Sequence, residues 1–219
     1  MTSYATVSRG TPLARAADLV ALKLLTVVYR RVLLLARPCT DAPPIPAPPG
    51  VSIGVVRPDE IDACLRLRPD LAPDEVRRRL ERGDECWAAR AGDRIVHAAW
   101  VARGIGPAPY LEGDLVLGDD DLFSYDSFTA PAWRGRGLAA ARHAALLAAA
   151  HAERRRRVAC IAAVENRSGR RALAKAGYAP VALYGLLRLG PVRLRRQRTL
   201  AAEPAPALRP AAGADGRVR

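Results

Sequence analysis

The stretch from Leu122 to Arg155 constrains this chain more than any other. Leu122 to Thr129 is rich in aromatic and hydroxyl residues and reads as a strand. After Pro131 come Gly135 and Gly137, and from about Gly137 to Arg155 alanine and leucine dominate, as in a long helix. Glycines in such a turn let the backbone fold back tightly and approach a ligand closely. The helix start leaves amide N–H groups unpaired and carries the positive end of the helix dipole. Together these features make an anion site suited to a pyrophosphate, with Arg134 and Arg136 as cations on its rim. The turn lacks the G-x-G-x-x-G spacing of a dinucleotide fold and the Gly-Lys-Ser/Thr ending of a nucleoside triphosphate loop. Read physically, it does not name its ligand, and an ordinary strand-to-helix turn in an arginine-rich chain would look the same.

The surrounding pattern predicts a mixed α/β sheet with helices on both faces. Val51 to Val56 reads as a first strand, Pro58 to Leu67 and Pro73 to Arg82 as helices, and Cys86 to Arg90 and Arg94 to Val101 as a hairpin turned at Ala91-Gly92-Asp93. Tyr110 to Leu117 reads as another strand. Beyond the long helix, Val158 to Val164 is a buried strand, Ser168 to Ala176 a short helix stopped by Gly177, and Ala179 to Leu189 and Val192 to Thr199 two strands broken by Gly190-Pro191.

The ends read differently. Residues 1–12 look like a loose tail, and Leu13 to Ala36 is expected to be a helix with Arg15, Lys23, Thr26, Arg30 and Arg37 along one face. Lys23, Arg30 and Arg31 exclude a membrane span, and no small-residue cleavage site marks a signal peptide. Such a basic amphipathic helix can lie on a membrane surface or pack on the domain or on a second subunit. The expected organisation is therefore an N-terminal amphipathic helical extension over 1–37, a proline-rich linker over 38–50, a folded domain over 51–200 and a disordered tail over 201–219.

The formal net charge of +13 invites a nucleic-acid partner, but Lys23 and Lys175 are the only lysines. Arginine and alanine rise together in a chain encoded by GC-rich codons, so the charge gives no clear nucleic-acid reading. Cys39, Cys64, Cys86 and Cys160 stand far apart without C-x-x-C spacing, which argues against zinc and against a disulfide framework; no metal is expected. Isolated thiols suit a reducing, cytoplasmic setting, with peripheral membrane contact through residues 13–37 as an addition.

Arg134-Gly135-Arg136-Gly137-Leu138-Ala139 resembles the cofactor loop of the GNAT acetyltransferase superfamily, Arg/Gln-x-x-Gly-x-Gly/Ala, with Pro131 upstream. Val164-Glu165-Asn166 and Lys175-Ala176-Gly177-Tyr178 follow in the family's order, and the likeness covers roughly residues 51–200. The resemblance implies an acyl-CoA N-acyltransferase fold and transfer of an acetyl group from acetyl-CoA to a primary amine of a small molecule, peptide or protein. It implies that the amides of Arg136, Gly137, Leu138 and Ala139 hold the pyrophosphate, that Ser127, Phe128 and Thr129 pair with the pantetheine arm, and that Asn166 lies near the arm or its thiol end. Asn166 also reads as a turn cap at a strand end.

Direct attack by a neutral amine needs proximity, an oxyanion donor and a route for the amine proton. Asp126 is the leading candidate base, with Glu112 and Asp114 as acids that could line the acceptor side. Strand alternation would put Asp126 and Phe128 on one face and Ser127 and Thr129 on the other. His97 reads as structural, His143 and His151 as structural or exposed, Cys160 as core, and Arg154 to Arg157 as a solvated helix end. Leu173 stands where the family often has a tyrosine acid, and Tyr178 is a weak substitute. The competing readings are a non-catalytic acyl-CoA-binding module and a membrane- or RNA-associated protein that uses its basic ends. A homodimer through the C-terminal strands or the N-terminal helix is also open.

Overall fold

The computed structural model describes residues 27–40, 45–202 and 204–211. Its elements are β1 (Val27–Pro38), β2 (Val51–Val55), a 3-10 turn (Pro58–Glu60), α1 (Ile61–Leu67), α2 (Pro73–Glu81), β3 (Glu85–Ala91), β4 (Arg94–Ala102), β5 (Ile105–Ala108), β6 (Gly113–Val116), β7 (Asp121–Thr129), α3 (Leu138–Ala152), β8 (Arg157–Ala163), α4 (Arg167–Lys175), β9 (Ala179–Leu189), β10 (Val192–Thr199) and β11 (Ala207–Pro210). Eight strands form one sheet in the order β10-β9-β1-β8-β7-β4-β3-β2, and β11-β6-β5 form a second, small sheet. Within the large sheet β7 and β8 run parallel, whereas the other neighbours described are antiparallel.

Alternation along the strands sends side chains into two cores. Val32, Leu34, Trp100, Phe123, Tyr125 and Tyr184 join Cys64 of α1, Val76 of α2 and Leu115 of the small sheet on one face. Leu35, Val101, Leu122, Val158 and Cys160 meet Leu146 and Leu147 of α3 and Leu173 of α4 on the other. The expected mixed sheet with helices on both faces is present. No helix among the described residues is long and apolar enough to cross a membrane.

The chain ends depart from expectation. Residues 27–36, expected to continue a helix, are strand β1, placed between β8 and β9. A central strand covered on both faces needs apolar side chains on both, so Val32-Leu33-Leu34-Leu35-Ala36 carries no strand periodicity and imitates a helix. The rest of the expected helix, residues 13–26, lies outside the described residues, as does the loose tail at 1–12. Because β1 completes the sheet, the domain does not begin near Val51. The proline-rich stretch between β1 and β2 starts anchored, with Cys39 buried and its amide donating to the Arg156 carbonyl at 3.0 Å.

Part of the expected disordered tail is ordered as well. Ala207–Pro210 pairs with β6, and the Tyr184 hydroxyl donates to the Pro206 carbonyl. Residues 212–219 lie outside the described residues. The strand expected over Tyr110 to Leu117 is a 3-10 turn at Pro109–Leu111 followed by the shorter β6, because Glu112 adopts a left-handed conformation that breaks it.

A substitution separates the two readings of the N-terminal segment. Leu34 is fully buried in β1, so Leu34→Ala is expected to destabilise the protein by about 2–5 kcal/mol. On a peripheral helix the same change would shift the thermal midpoint very little, and differential scanning calorimetry distinguishes the outcomes.

Candidate functional site

The cleft arises where two strands part. β7 and β8 pair from Asp121↔Arg157 to Ser124↔Cys160 and no further. Each continues along its other neighbour: β7 stays on β4 to Thr129, and β8 stays on β1 to Ala163. Beyond Ser124 the facing edges of β7 and β8 therefore present backbone groups without a ladder partner among the described residues. Such groups need a partner in any buried setting. The gap is a cleft of about 790 Å³, lined by β7 from Ser124 to Thr129, the turn after it, the first half of α3, Cys160 to Ala162 of β8, and α4.

The turn supplies donors at the mouth. Gly135 and Gly137 have φ of 78° and 80°, a region that other residues enter at a cost. Gly137 is the residue before α3, and no side chain caps the helix, whose first backbone bond runs from the Ala141 amide to the Gly137 carbonyl at 3.0 Å. The amides of Leu138, Ala139 and Ala140 precede that first bond, so the helix has not consumed them. Arg134 is tied back by its Nε to the Thr129 carbonyl at 3.3 Å, and the Arg136 guanidinium lies 4.6 Å from the centre of the Trp133 ring. Both line the cleft, as do all the cofactor-binding candidates: Ser127, Phe128, Thr129, Gly135, Gly137, Leu138, Ala139 and Asn166.

A bulge shapes β7. Trp100 faces Tyr125 and Ala98 faces Phe128, so Asp126 and Ser127 together oppose one residue of β4, and Asp126 takes a φ of 49°. Arg68 meets both Asp126 and the Phe128 ring, as alternation predicts, but Tyr125 is on their side too. The Arg79 guanidinium lies 5.1 Å from the Tyr125 ring centre and bonds Asp126 at 2.6 Å. The bulge interrupts the alternation.

Asp126, the expected base, is clamped between two arginines. Arg68 Nη1 donates to one oxygen at 2.8 Å and Arg79 Nη1 to the other. Burial alone would raise its pKa, but the hydrogen bonds from Arg68 and Arg79 outweigh burial and hold the carboxyl below its ordinary value. A carboxylate so held is a poor proton acceptor. Its stabilisation is present above the unfolded-state value of about 3.9 and is lost as pH falls through the lower folded value. Asp126→Asn should therefore melt below the wild type at pH 7, and the gap should close as the pH is taken from about 5 to 3 and below. Thermal melts across that range check it.

Glu112 and Asp114 are not in the cleft. The chain leaves the main sheet after Ala102, and both acids sit on or beside the small sheet. Glu112 is bonded by Arg193 at 2.7 Å and Arg188 at 3.1 Å, and these arginines lower its pKa, so it ties the small sheet to β9 and β10. Asp114 sits on β6 opposite Pro107 and Arg209. Asn166 does cap α4, with its Oδ1 accepting from the Gly169 amide at 2.9 Å, and leaves its NH₂ as the part able to meet a ligand. Leu173 is buried in the core and offers no proton.

His97 is fully buried, bonded through Nδ1 to Thr129 Oγ1 at 2.8 Å, and burial followed by the nearby Arg142 charge lowers its pKa to about 3. The helix hides Arg142, which drew no expectation from the sequence, beside His143, which was expected to be structural or exposed and is buried. Arg142 and His143 lie on the buried side of α3 and line the cleft. Arg142 can only donate, so His143 Nε2 accepts from it and Nδ1–H donates to the Tyr178 oxygen at 3.0 Å. Tyr178 is thereby a core residue. The available signal was spacing, because Arg142 sits four residues from both Leu138 and Leu146, on the helix's apolar stripe.

An antiparallel sheet that turns parallel at one pair, splays there, and passes through an uncapped glycine turn into a helix is the fold of the GNAT N-acetyltransferases. The GCN5-related N-acetyltransferase from Sphaerobacter thermophilus matches it with a TM-score of 0.55 at 18% identity, over 83% of this chain and 56% of that one. A GNAT acetyltransferase from Colwellia psychrerythraea matches at 0.52 and 14%, over 74% and 55%. A GCN5-related N-acetyltransferase from Kribbella flavida matches at 0.50 and 19%, over 78% and 62%. The chain thus spans less than two thirds of the length of these structures, and at such identity the likeness is one of fold. No family model and no curated protein matches the sequence.

Proposed function

We propose that this protein transfers an acetyl group from acetyl-CoA to a primary amine by direct attack. The observation that carries the reading is the run from the free edge of β7, past Thr129, into the uncapped start of α3. It offers main-chain partners for an amide-bearing arm and, directly after them, convergent N–H groups for a diphosphate. Coenzyme A has those two parts in that order. Ser127, Phe128 and Thr129 would hold the arm, the amides from Arg136 to Ala139 the diphosphate, and the NH₂ of Asn166 the far wall. A β7 amide would polarise the thioester oxygen as the amine attacks.

Among the described residues Asp126 is the single carboxylate lining the cleft, and its oxygens are engaged, so the amine would lose its proton to water rather than to this side chain. The same observation favours a second reading, in which acyl-CoA is bound without transfer. Two measurements separate the possibilities. Calorimetry with acetyl-CoA should give a 1:1 isotherm and a rise in melting temperature; absence of both would overturn each reading. Thiol release across a panel of primary amines should exceed the rate without amine. Tight binding with no amine-dependent release would select the binding module.

A further inference from the structure

The floor of the cleft holds a charge without a counter-charge. Arg142 is fully buried, lines the cleft, and makes no ion pair among the described residues. Its Nη1 donates to Ser124 Oγ at 2.8 Å and its Nη2 to His143 Nε2 at 2.8 Å, while Nε has no partner. A guanidinium stays protonated in proteins, and a buried one is ordinarily held by a carboxylate. The titratable groups around it are neutral at pH 7. Burial, then the Arg142 charge, lowers His143 of the same helix and His97 of β4. Burial pushes Cys160 of β8 up to about 12 and Tyr178, after α4, well above its ordinary value. Cys86 of β3 is also raised, first by its contact with Cys64 and then by burial. The cleft floor is therefore positive.

Ser124 turns that charge into a contact. It is the last residue of β7 bonded to β8, so it stands where the strands part, and it lines the cleft. A hydroxyl has one proton and two lone pairs. Arg142 occupies a lone pair, which leaves the O–H free to donate and polarises it.

We propose that Ser124, backed by Arg142, stabilises the negative charge that forms on sulfur when the thioester breaks. The proposal rests on the acetyl-CoA reading above. A diphosphate seated at Gly137 to Ala139 sends the arm along the gap between β7 and β8, and that gap ends at Ser124. In the step, the amine nitrogen bonds the acyl carbon, the carbon–sulfur bond breaks with its electron pair passing to sulfur, and the amine proton leaves to solvent. The thiolate accepts a hydrogen bond from Ser124, which keeps its proton, and Arg142 neither gains nor loses one. Leu173, lining the same cleft, offers no alternative donor.

The test needs no acceptor. The thiol of bound CoA is titrated by thiolate absorbance, with the desulfo-CoA complex as blank so that the protein's own cysteines cancel. A free thiol titrates at about 8.5. The bound thiol is expected to titrate lower by about one unit or more, a tenfold rise in the thiolate-to-thiol ratio. Ser124→Ala and Arg142→Met should return it toward the free value, and Ser124→Thr should keep it low. Where Arg142→Met fails to fold, the Ala and Thr variants of Ser124 decide. If CoA and desulfo-CoA both fail to bind, the cofactor reading falls and this proposal with it. If both bind and the thiol titrates at its ordinary value, or Ser124→Ala leaves a lowered value unchanged, the assignment is overturned while the cofactor reading stands.

Discussion

Replacing Gly135 and Gly137 together by valine is expected to weaken acetyl-CoA binding by about 100-fold or more, with a far smaller effect on folding. Both glycines sit at positive φ, and a Cβ built at either meets nothing within 4 Å. The glycines are therefore required by backbone conformation rather than by space. A β-branched residue held there is strained by about 1–3 kcal/mol, and the turn is exposed enough to relieve the strain by rotating away. Rotation swings the amides before and after Gly137 out of convergence. Losing two hydrogen bonds to a charged diphosphate, at about 1.5–3 kcal/mol each, corresponds to about 10²–10⁴ in affinity. Neither glycine belongs to a core cluster, so the melting temperature should fall by only a few degrees. Isothermal calorimetry beside thermal melts separates the effects. A dissociation constant within tenfold of the wild type would show that these amides are not what holds the anion.

The loop was legible because its signal is local: glycines, a proline and a helix start within a few residues. Most elements between Val51 and Thr199, the small sheet apart, were legible for a related reason, since turns and periodicity mark them along the chain. β1 was not, because its strand character comes from partners far away in sequence, at Arg157–Ala163 and Ala179–Leu189. β5 and β11 are short and contain proline, and their pairing with β6 cannot be read from either segment alone. Within the site, the clamp on Asp126 depends on Arg68 and Arg79, 58 and 47 residues away, and on a bulge that leaves no mark in the sequence. Glu112 and Asp114 were chosen for nearness along the chain, yet the intervening excursion into a second sheet removes them from the cleft. Arg142 is the intermediate case. Its place on the apolar stripe of α3 was visible, but its lack of a carboxylate partner among the described residues is a property of the packed molecule.

Asp121→Ala should be the most destabilising single change at the closed end of the cleft. Asp121 and Arg157 are the first rung of the parallel ladder, and both are almost fully buried. One carboxylate oxygen of Asp121 accepts from Arg157 Nε at 3.0 Å and from Nη2 at 2.9 Å, and Arg156 adds two further bonds at 3.0 and 2.9 Å. Removing the carboxylate takes from the buried Arg157 guanidinium the two hydrogen bonds and the negative charge that Asp121 supplies, a loss of about 3–5 kcal/mol. For a chain of this length that corresponds to a fall in melting temperature of roughly 6–20 °C. Asp121→Asn keeps the shape but not the charge and should recover only a minor part. The control is Asp59→Ala, which breaks a pair with Arg57 whose side chains are 71% and 67% exposed and should move the midpoint by a degree or two at most. Because β7 and β8 are bonded over only this short ladder, the rung also fixes the angle at which they part. CoA affinity measured well below the melting temperature should therefore fall too, and a variant that melts within about 3 °C of the wild type would mean that Arg157 does not depend on Asp121 and the rung does not set the splay.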